Sequence, residues 1–182
     1  TMLTLKDPSL LRSQNFIAGE WVDGGAGFID VTNPANGEVV VTTANGNAAD
    51  AERAVEAAAA AFETWSRVPA KQRAVLLRNW FNLLMENADD LGVIMTAEQG
   101  KPLFESVGEV AYGASFIEWF AEEAKRIYGD VIPTHLPDLR IVTIKQGVGV
   151  VAAVTPWNFP NAMITRKAGP ALAAGCPVVI KP

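Results

Sequence analysis

Hydrophobic and polar positions change rhythm twice along this chain. The first segment alternates with a period near two. Phe16-Ile17-Ala18-Gly19-Glu20-Trp21-Val22 is followed by Asp23-Gly24-Gly25-Ala26-Gly27 and then by Phe28-Ile29-Asp30-Val31. That spacing predicts two strands closing as a hairpin at the glycine-rich turn. Asn33-Pro34-Ala35-Asn36-Gly37 predicts a second turn before Val39-Val40-Val41. From Asn47 onward the apolar period becomes 3.6. Asn47 is a helix cap, and Ala51, Ala54, Val55, Ala58, Phe62 and Trp65 form the apolar face that follows it, up to Pro69. Ala74, Leu77, Phe81 and Leu84 stripe a second helix, and a shorter one around Leu91–Met95 runs to Gln99. Pro102 then opens a long helix striped by Leu103, Val107, Val110, Ala114, Ile117, Ala121 and Ala124, with Gly129 as its stop.

The last third reads differently. Arg140–Ile144 and Val148–Val154 are expected as strands, the second apolar on both faces. A short helix follows from Pro160 to Ala174, stopped by Gly175, and Pro177-Val178-Val179-Ile180 is another apolar run. Buried strand, helix, buried strand is the pattern of a parallel βαβ unit, with ligands expected at the carboxyl ends of its strands. The fold class is therefore α/β, a Rossmann-type parallel sheet preceded by a hairpin and helices. One such unit leaves apolar surface that a larger protein would bury, so the sequence reads as an incomplete fragment.

Bulk properties narrow the partners. At 182 residues, 49% hydrophobic and 19% charged, the chain has an ordinary globular composition. A net charge of −5 with no Lys/Arg block argues against a nucleic-acid partner. The single cysteine, Cys176, excludes an internal disulfide and fits a reducing compartment, so a cytoplasmic location is expected. The first seven residues lack the cationic end and apolar run of a leader. Gln146 to Thr165 carries no charge, but its glycines, prolines and asparagines argue against a membrane span.

Most chemical candidates have a simpler reading. Gly147-Val148-Gly149-Val150-Val151-Ala152 has the letters of a dinucleotide fingerprint, yet it leads into a β-branched run instead of a helix, and a hairpin turn is expected. Ser115 reads as a serine of a core helix, His135 between Pro133 and Pro137 as a surface-loop residue, and Cys176 as small core filler. With one histidine and no cysteine or carboxylate cluster beside it, no metal site is expected. Thr155-Pro156-Trp157-Asn158-Phe159-Pro160 is more informative. Asn158 could serve as a turn or capping residue. Yet it lies at a switch from buried strand to helix, where two prolines fix the backbone and aim its amide, and a rigid amide donor suits a developing oxyanion.

Here a family resemblance becomes specific. Pro156–Pro160, Gly169-Pro170-Ala171-Leu172-Ala173-Ala174-Gly175-Cys176 and Val178-Val179-Ile180-Lys181-Pro182 resemble segments of the aldehyde dehydrogenase superfamily. So do Phe16–Trp21, Thr32-Asn33-Pro34-Ala35 and Glu98-Gln99-Gly100-Lys101-Pro102. Within it, Arg78-Asn79-Trp80-Phe81, Ser115–Glu123 and Met163-Ile164-Thr165-Arg166-Lys167 are most similar to succinate-semialdehyde dehydrogenases. The resemblance implies that Asn158 is the side-chain donor of an oxyanion hole. It implies that Val154, Thr155, Pro156, Trp157 and Asn158 line an NAD or NADP cleft, that Lys181 bonds the adenosine ribose, and that Pro182 follows it. Residues 1–128 would then begin the cofactor-binding domain, 129–147 would be a strand excursion that builds dimers or tetramers, and 148–182 would begin the Rossmann-type sheet. The catalytic domain would be absent.

The mechanism so implied runs through a cysteine thiolate that attacks the aldehyde, hydride transfer to the nicotinamide, and a glutamate-activated water that cleaves the thioester. That cysteine and that glutamate do not match any residue of this chain. For substrate, Phe159, Ala162 and Arg166 fall at i, i+3 and i+7 of the helix expected from Pro160, a stripe leading to Asn158. Arg166 is either a solvated charge beside Lys167 or a grip for the far carboxylate of succinic semialdehyde. Two other readings stay open: a dehydrogenase of the same fold for uncharged aldehydes, and a non-catalytic cofactor-binding module. The residue that selects NAD or NADP is expected shortly after the Lys-Pro pair.

Overall fold

The computed structural model describes residues 3–182, and Thr1 and Met2, which open the stretch read as lacking a leader, lie outside the described residues. The amino-terminal strands pair differently from the expected hairpin. Phe16–Val22 is two strands, β1 (Asn15–Ile17) and β2 (Glu20–Val22), joined at Ala18-Gly19. Both turn residues have positive φ, 54° and 84°, the tight turn whose twist suits paired strands. Glycine adopts it freely, whereas an alanine there costs roughly 1–2 kcal/mol. The glycine-rich turn, closed by a Gly27 N–H bond to the Gly24 carbonyl at 3.0 Å, hands the chain to β3 (Phe28–Thr32). That strand pairs antiparallel with β4 (Val39–Ala44) across the Asn33–Gly37 turn. Alternation marked the extended segments, but it showed neither the reversal at Ala18-Gly19 nor which segments pair.

Helix α1 (Ala48–Trp65) starts at the expected cap. The Asn47 side chain accepts from the Asp50 N–H, while the Asp50 carboxylate accepts from the Asn47 N–H at 2.9 Å and from the Gly25 N–H at 2.7 Å. One carboxylate thus fastens the helix start to the glycine-rich turn. On the expected face Ala58 is buried and Ala54, Phe62 and Trp65 are half-buried, while Ala51 and Val55 remain exposed. Pro69 marks the start of α2 (Ala70–Glu86). Helix α3 (Ala88–Gln99) ends at Gly100, whose φ of 82° is left-handed. Pro102 stands just before α4 (Leu103–Glu123) instead of inside it.

Helix α4 is the centre of the molecule and packs against α2, α3 and the next helix. Its small residues permit this. Val110, Ala114 and Ile117 are fully buried and Ala121 nearly so; Leu77 and Leu84 of α2 join Ala114, Ile117 and Ala121 in one cluster, and Ala88 and Met95 join Val110 in another. Burying one side chain the size of Ile117 contributes about 1.5–3 kcal/mol. Leu103, expected on this stripe, is exposed. The helix gives way to a short 3-10 turn at Ala124–Arg126, before Gly129. Gly129 serves close approach instead: a Cβ there would lie 1.9 Å from the Thr143 carbonyl oxygen.

The final third forms the expected parallel unit, with shorter strands. β5 (Val131–Ile132) and β6 (Ile141–Val142) make a small antiparallel pair. β7 (Val151–Val154) and β8 (Val178–Lys181) run parallel, in register from Val151 opposite Val178 to Val154 opposite Lys181. Between them α5 (Ala162–Ala173) packs on α4 and on both strands, and Gly175 ends it with φ of 84°. The 147–152 segment does enter a strand, but as a loop: β6 does not pair with β7, so the expected hairpin is not formed. Of β7 only Ala153 is buried, not both faces. Among the described residues no helix is long and apolar enough to cross a membrane.

Candidate functional site

The carboxyl ends of β7 and β8 stand side by side. The Thr155 N–H bonds the Lys181 carbonyl at 3.1 Å just beyond the last paired residues. A proline cannot extend that ladder, so Pro156 ends β7 and turns the chain outward. The turn over 157–161 leads to Asn161, which stands at the N-cap position of α5 without a capping hydrogen bond from its own side chain. Val154 and Trp157 are 71% and 77% exposed on this crest, with Pro156, Asn158, Lys181 and Pro182 exposed beside them. Among the described residues the Lys181 ammonium bonds the carbonyl of its neighbour Pro182, at 2.8 Å, and no other group. Two parallel strand ends, accessible backbone and a lysine with donors to spare fit one wall of a dinucleotide cleft.

Asn158 is held from behind and free in front. Its carbonyl accepts from Lys101 Nζ at 3.1 Å and from Gln99 Nε2 at 3.4 Å. Its side-chain amide is exposed and makes no hydrogen bond among the described residues. Lys101 also pairs with Glu109 and lies 4.1 Å from the centre of the Phe159 ring. The Glu109 carboxylate, 1% exposed, accepts from the N–H groups of Asn161 and Ala162 at 3.0 and 3.2 Å. A carboxylate at this helix start satisfies orphan N–H groups and complements the helix dipole.

The expected substrate stripe is not a single face. Helix α5 starts at Ala162, so Phe159 lies in the preceding turn, 39% exposed. Ala162 is fully buried, because Gly113 of α4 lets the two helices meet there; a Cβ on Gly113 would stand 3.3 Å from the Ala162 Cα. Ala162 therefore cannot line an accessible tunnel, which corrects its assignment. Arg166 is exposed, with its guanidinium 5.7 Å from the Phe116 ring centre, and has no carboxylate partner among the described residues. Phe116 in turn packs edge-on against Tyr112 at 4.9 Å.

Other candidates lie elsewhere. Cys176 is 3% exposed and precedes the amino end of β8. Five residues at about 3.3 Å each put it roughly 16 Å from the Lys181 end. Ser115 is helical but exposed, bonding the Tyr112 carbonyl at 2.7 Å, so it is not a core residue as expected. His135 is exposed in the β5–β6 loop. Two open grooves also lie off the crest. One of about 570 Å³ is lined by Trp65, Val68 and Leu76, and one of about 600 Å³ along α4 includes Arg78, Phe116 and Trp119.

Sequence reasoning missed Gln99, Lys101 and Glu109 as supports of Asn158, and Phe116 as a neighbour of Arg166. One signal was present: Glu109 interrupts the buried stripe of α4, between Ser106 and Val110. A carboxylate there needs a partner.

Residues 21–182 match the profile of the aldehyde dehydrogenase family. Glutarate-semialdehyde dehydrogenase of Pseudomonas putida is 61% identical over 181 residues, which are 99% of this chain and 38% of that protein. Succinate-semialdehyde dehydrogenase [NADP(+)] of Escherichia coli is 59% identical over the same shares of the two chains. The crystal structure of succinate-semialdehyde dehydrogenase from Burkholderia pseudomallei superposes with a TM-score of 0.96 at 56% identity, covering 98% of this chain and 37% of that one. The chain thus spans about 38% of the length of the curated relatives it matches.

Proposed function

The chain belongs to the aldehyde dehydrogenase family, and from that premise we propose that it is the amino-terminal part of an NAD(P)-dependent enzyme oxidising succinic semialdehyde to succinate. The observation that carries this reading is Asn158: its backbone carbonyl is bonded from behind while its amide stands exposed on the crest, with no hydrogen bond among the described residues. A donor held in place before reaction is what an oxyanion needs. The Arg166 guanidinium, without a carboxylate partner among the described residues, supplies the complement of a second, carboxylate end of the substrate. Relatives named for succinate and glutarate semialdehydes agree with that chemistry. The name of the Pseudomonas putida relative also favours a second reading, the five-carbon semialdehyde.

Val154, Thr155, Pro156 and Trp157 would hold the nicotinamide dinucleotide largely by backbone, with Lys181 and Pro182 at its adenosine end. When bound, that group supplies the hydride acceptor, NADP or NAD. We place the nucleophile and the water-activating base outside these 182 residues, since Cys176 is buried at the wrong end of β8. Residues 1–128 and 148–182 are then parts of the cofactor domain. The excursion over 129–147 is a subunit contact of a cytoplasmic dimer or tetramer; Val131, Val142 and Ile144 are 75%, 66% and 77% exposed along it.

The test is Asn158→Ala in the complete enzyme. Loss of one oxyanion donor costs about 2.7–4 kcal/mol, or roughly 10²–10³ in kcat, with cofactor affinity little changed. Near-normal kcat with lowered thermal stability would leave Asn158 as a turn residue.

A further inference from the structure

Removing a carboxylate from water is costly unless charge and hydrogen bonds replace the water. Glu109 meets that condition three times over. One oxygen accepts from the Asn161 and Ala162 N–H groups, and the other pairs with Lys101. Lys101 is itself only 11% exposed. Beyond Glu109 it donates to the Asn158 carbonyl and presses against the face of Phe159. One buried ion pair therefore holds both sides of the turn, residue 158 by its carbonyl and residues 161 and 162 by their N–H groups. None of these bonds uses the Asn158 side chain.

A brace between α4 and α5 alone would not need this arrangement. The close contact at Gly113 and the packing of Gly169 against Ile117 already join those helices. Capping the first N–H groups of α5 needs only the Glu109 carboxylate. The bond from Lys101 goes outside the helix, to the residue whose amide faces the crest.

We propose that the Lys101–Glu109 pair positions the oxyanion donor, so that it acts on turnover through Asn158 and not through the binding of substrate or cofactor. This rests on the role assigned to Asn158 above.

The experiment compares two backgrounds of the complete enzyme, one with Asn158 and one with Asn158→Ala. Into each goes the neutral pair Lys101→Met with Glu109→Gln, which keeps an acceptor for the two N–H groups and a stem over Phe159. In the Asn158 background kcat should fall about 10- to 100-fold, the scale of a displacement near 1 Å, with cofactor affinity retained. In the Asn158→Ala background the same pair should cause no further loss. Equal losses in both backgrounds, or a lower melting temperature with kcat intact, would overturn the proposal. If the doubly neutral protein does not accumulate, Lys101→Arg is read in the same way. It keeps the charge but changes the geometry at the Asn158 carbonyl, so a loss of kcat confined to the Asn158 background supports the proposal and an equal loss in both overturns it. The two ideas fail separately. A wild-type kcat for Asn158→Ala alone sinks the oxyanion reading and the positioning with it. A large loss for Asn158→Ala with additive losses for the pair sinks only the positioning.

Discussion

Arg166→Ala tests the substrate assignment directly. Arg166 is four residues past the first residue of α5, roughly 6 Å along the axis. Helical Cα–Cβ bonds tilt toward the amino terminus, the end of α5 that adjoins the Asn158 turn. Its guanidinium lies 5.7 Å from the centre of the Phe116 ring. At an exposed site such a contact contributes about 0.5–1 kcal/mol, so the variant should fold and lose little stability. A hydrogen bond to a charged group contributes about 1.5–3 kcal/mol, equivalent to roughly 10- to 150-fold. Steady-state assays of the complete enzyme should show KM for succinic semialdehyde rising by that factor, while KM for butanal, which lacks the carboxylate, barely moves. Arg166→Lys should recover only part of the loss, because an ammonium keeps the charge without the two-pronged geometry. Equal losses for both aldehydes, or none for either, would refute the carboxylate grip.

Two further outcomes concern stability. Gly113→Ala would place a Cβ 2.6 Å from Asn161 Nδ2 and 3.0 Å from Thr165 Oγ1; overpacking of this kind costs about 1–3 kcal/mol, so a urea midpoint equal to wild type would contradict the close α4–α5 contact. The Asn47 and Gly25 N–H groups, with lesser help from Arg53, hold the Asp50 carboxyl below its ordinary value. A depressed carboxyl stabilises the fold above its unfolded pKa, about 3.9, and that contribution is lost as pH falls through the lower folded value. The stability gap between wild type and Asp50→Ala should therefore narrow below about pH 4, and a gap constant with pH would show that the carboxylate charge is not what Asp50 contributes.

What the sequence disclosed, and what it hid, follows the range of each interaction. The helix cap at Asn47, the ends at Gly100 and Gly175, and the strand–helix–strand order are local, set by residues within a turn of each other. Strand pairing is not local. Ala18-Gly19 reads as the interior of a strand until the chain is seen to reverse there. The stripe of Phe159, Ala162 and Arg166 failed for a related reason. Its spacing was counted from Pro160, but the helix begins at Ala162, and Gly113 on another helix buries that alanine.

The turn bearing Asn158 shows why a site can be legible while its supports are not. Two prolines within one six-residue segment, Pro156 and Pro160, announce a fixed backbone, and that much is written locally. The same prolines remove two N–H donors, so the turn has fewer partners of its own for its carbonyls. Buried or functional backbone oxygens still need donors. Here they come from Gln99 and Lys101, 59 and 57 residues earlier in the chain. Glu109 then neutralises the lysine and occupies the N–H groups at the start of α5. A segment stiffened by proline is thereby made dependent on distant side chains, and those partners exist only once α4 and α5 have packed. The local pattern could point to Asn158, but only the helix crossing identifies the residues that hold it in place.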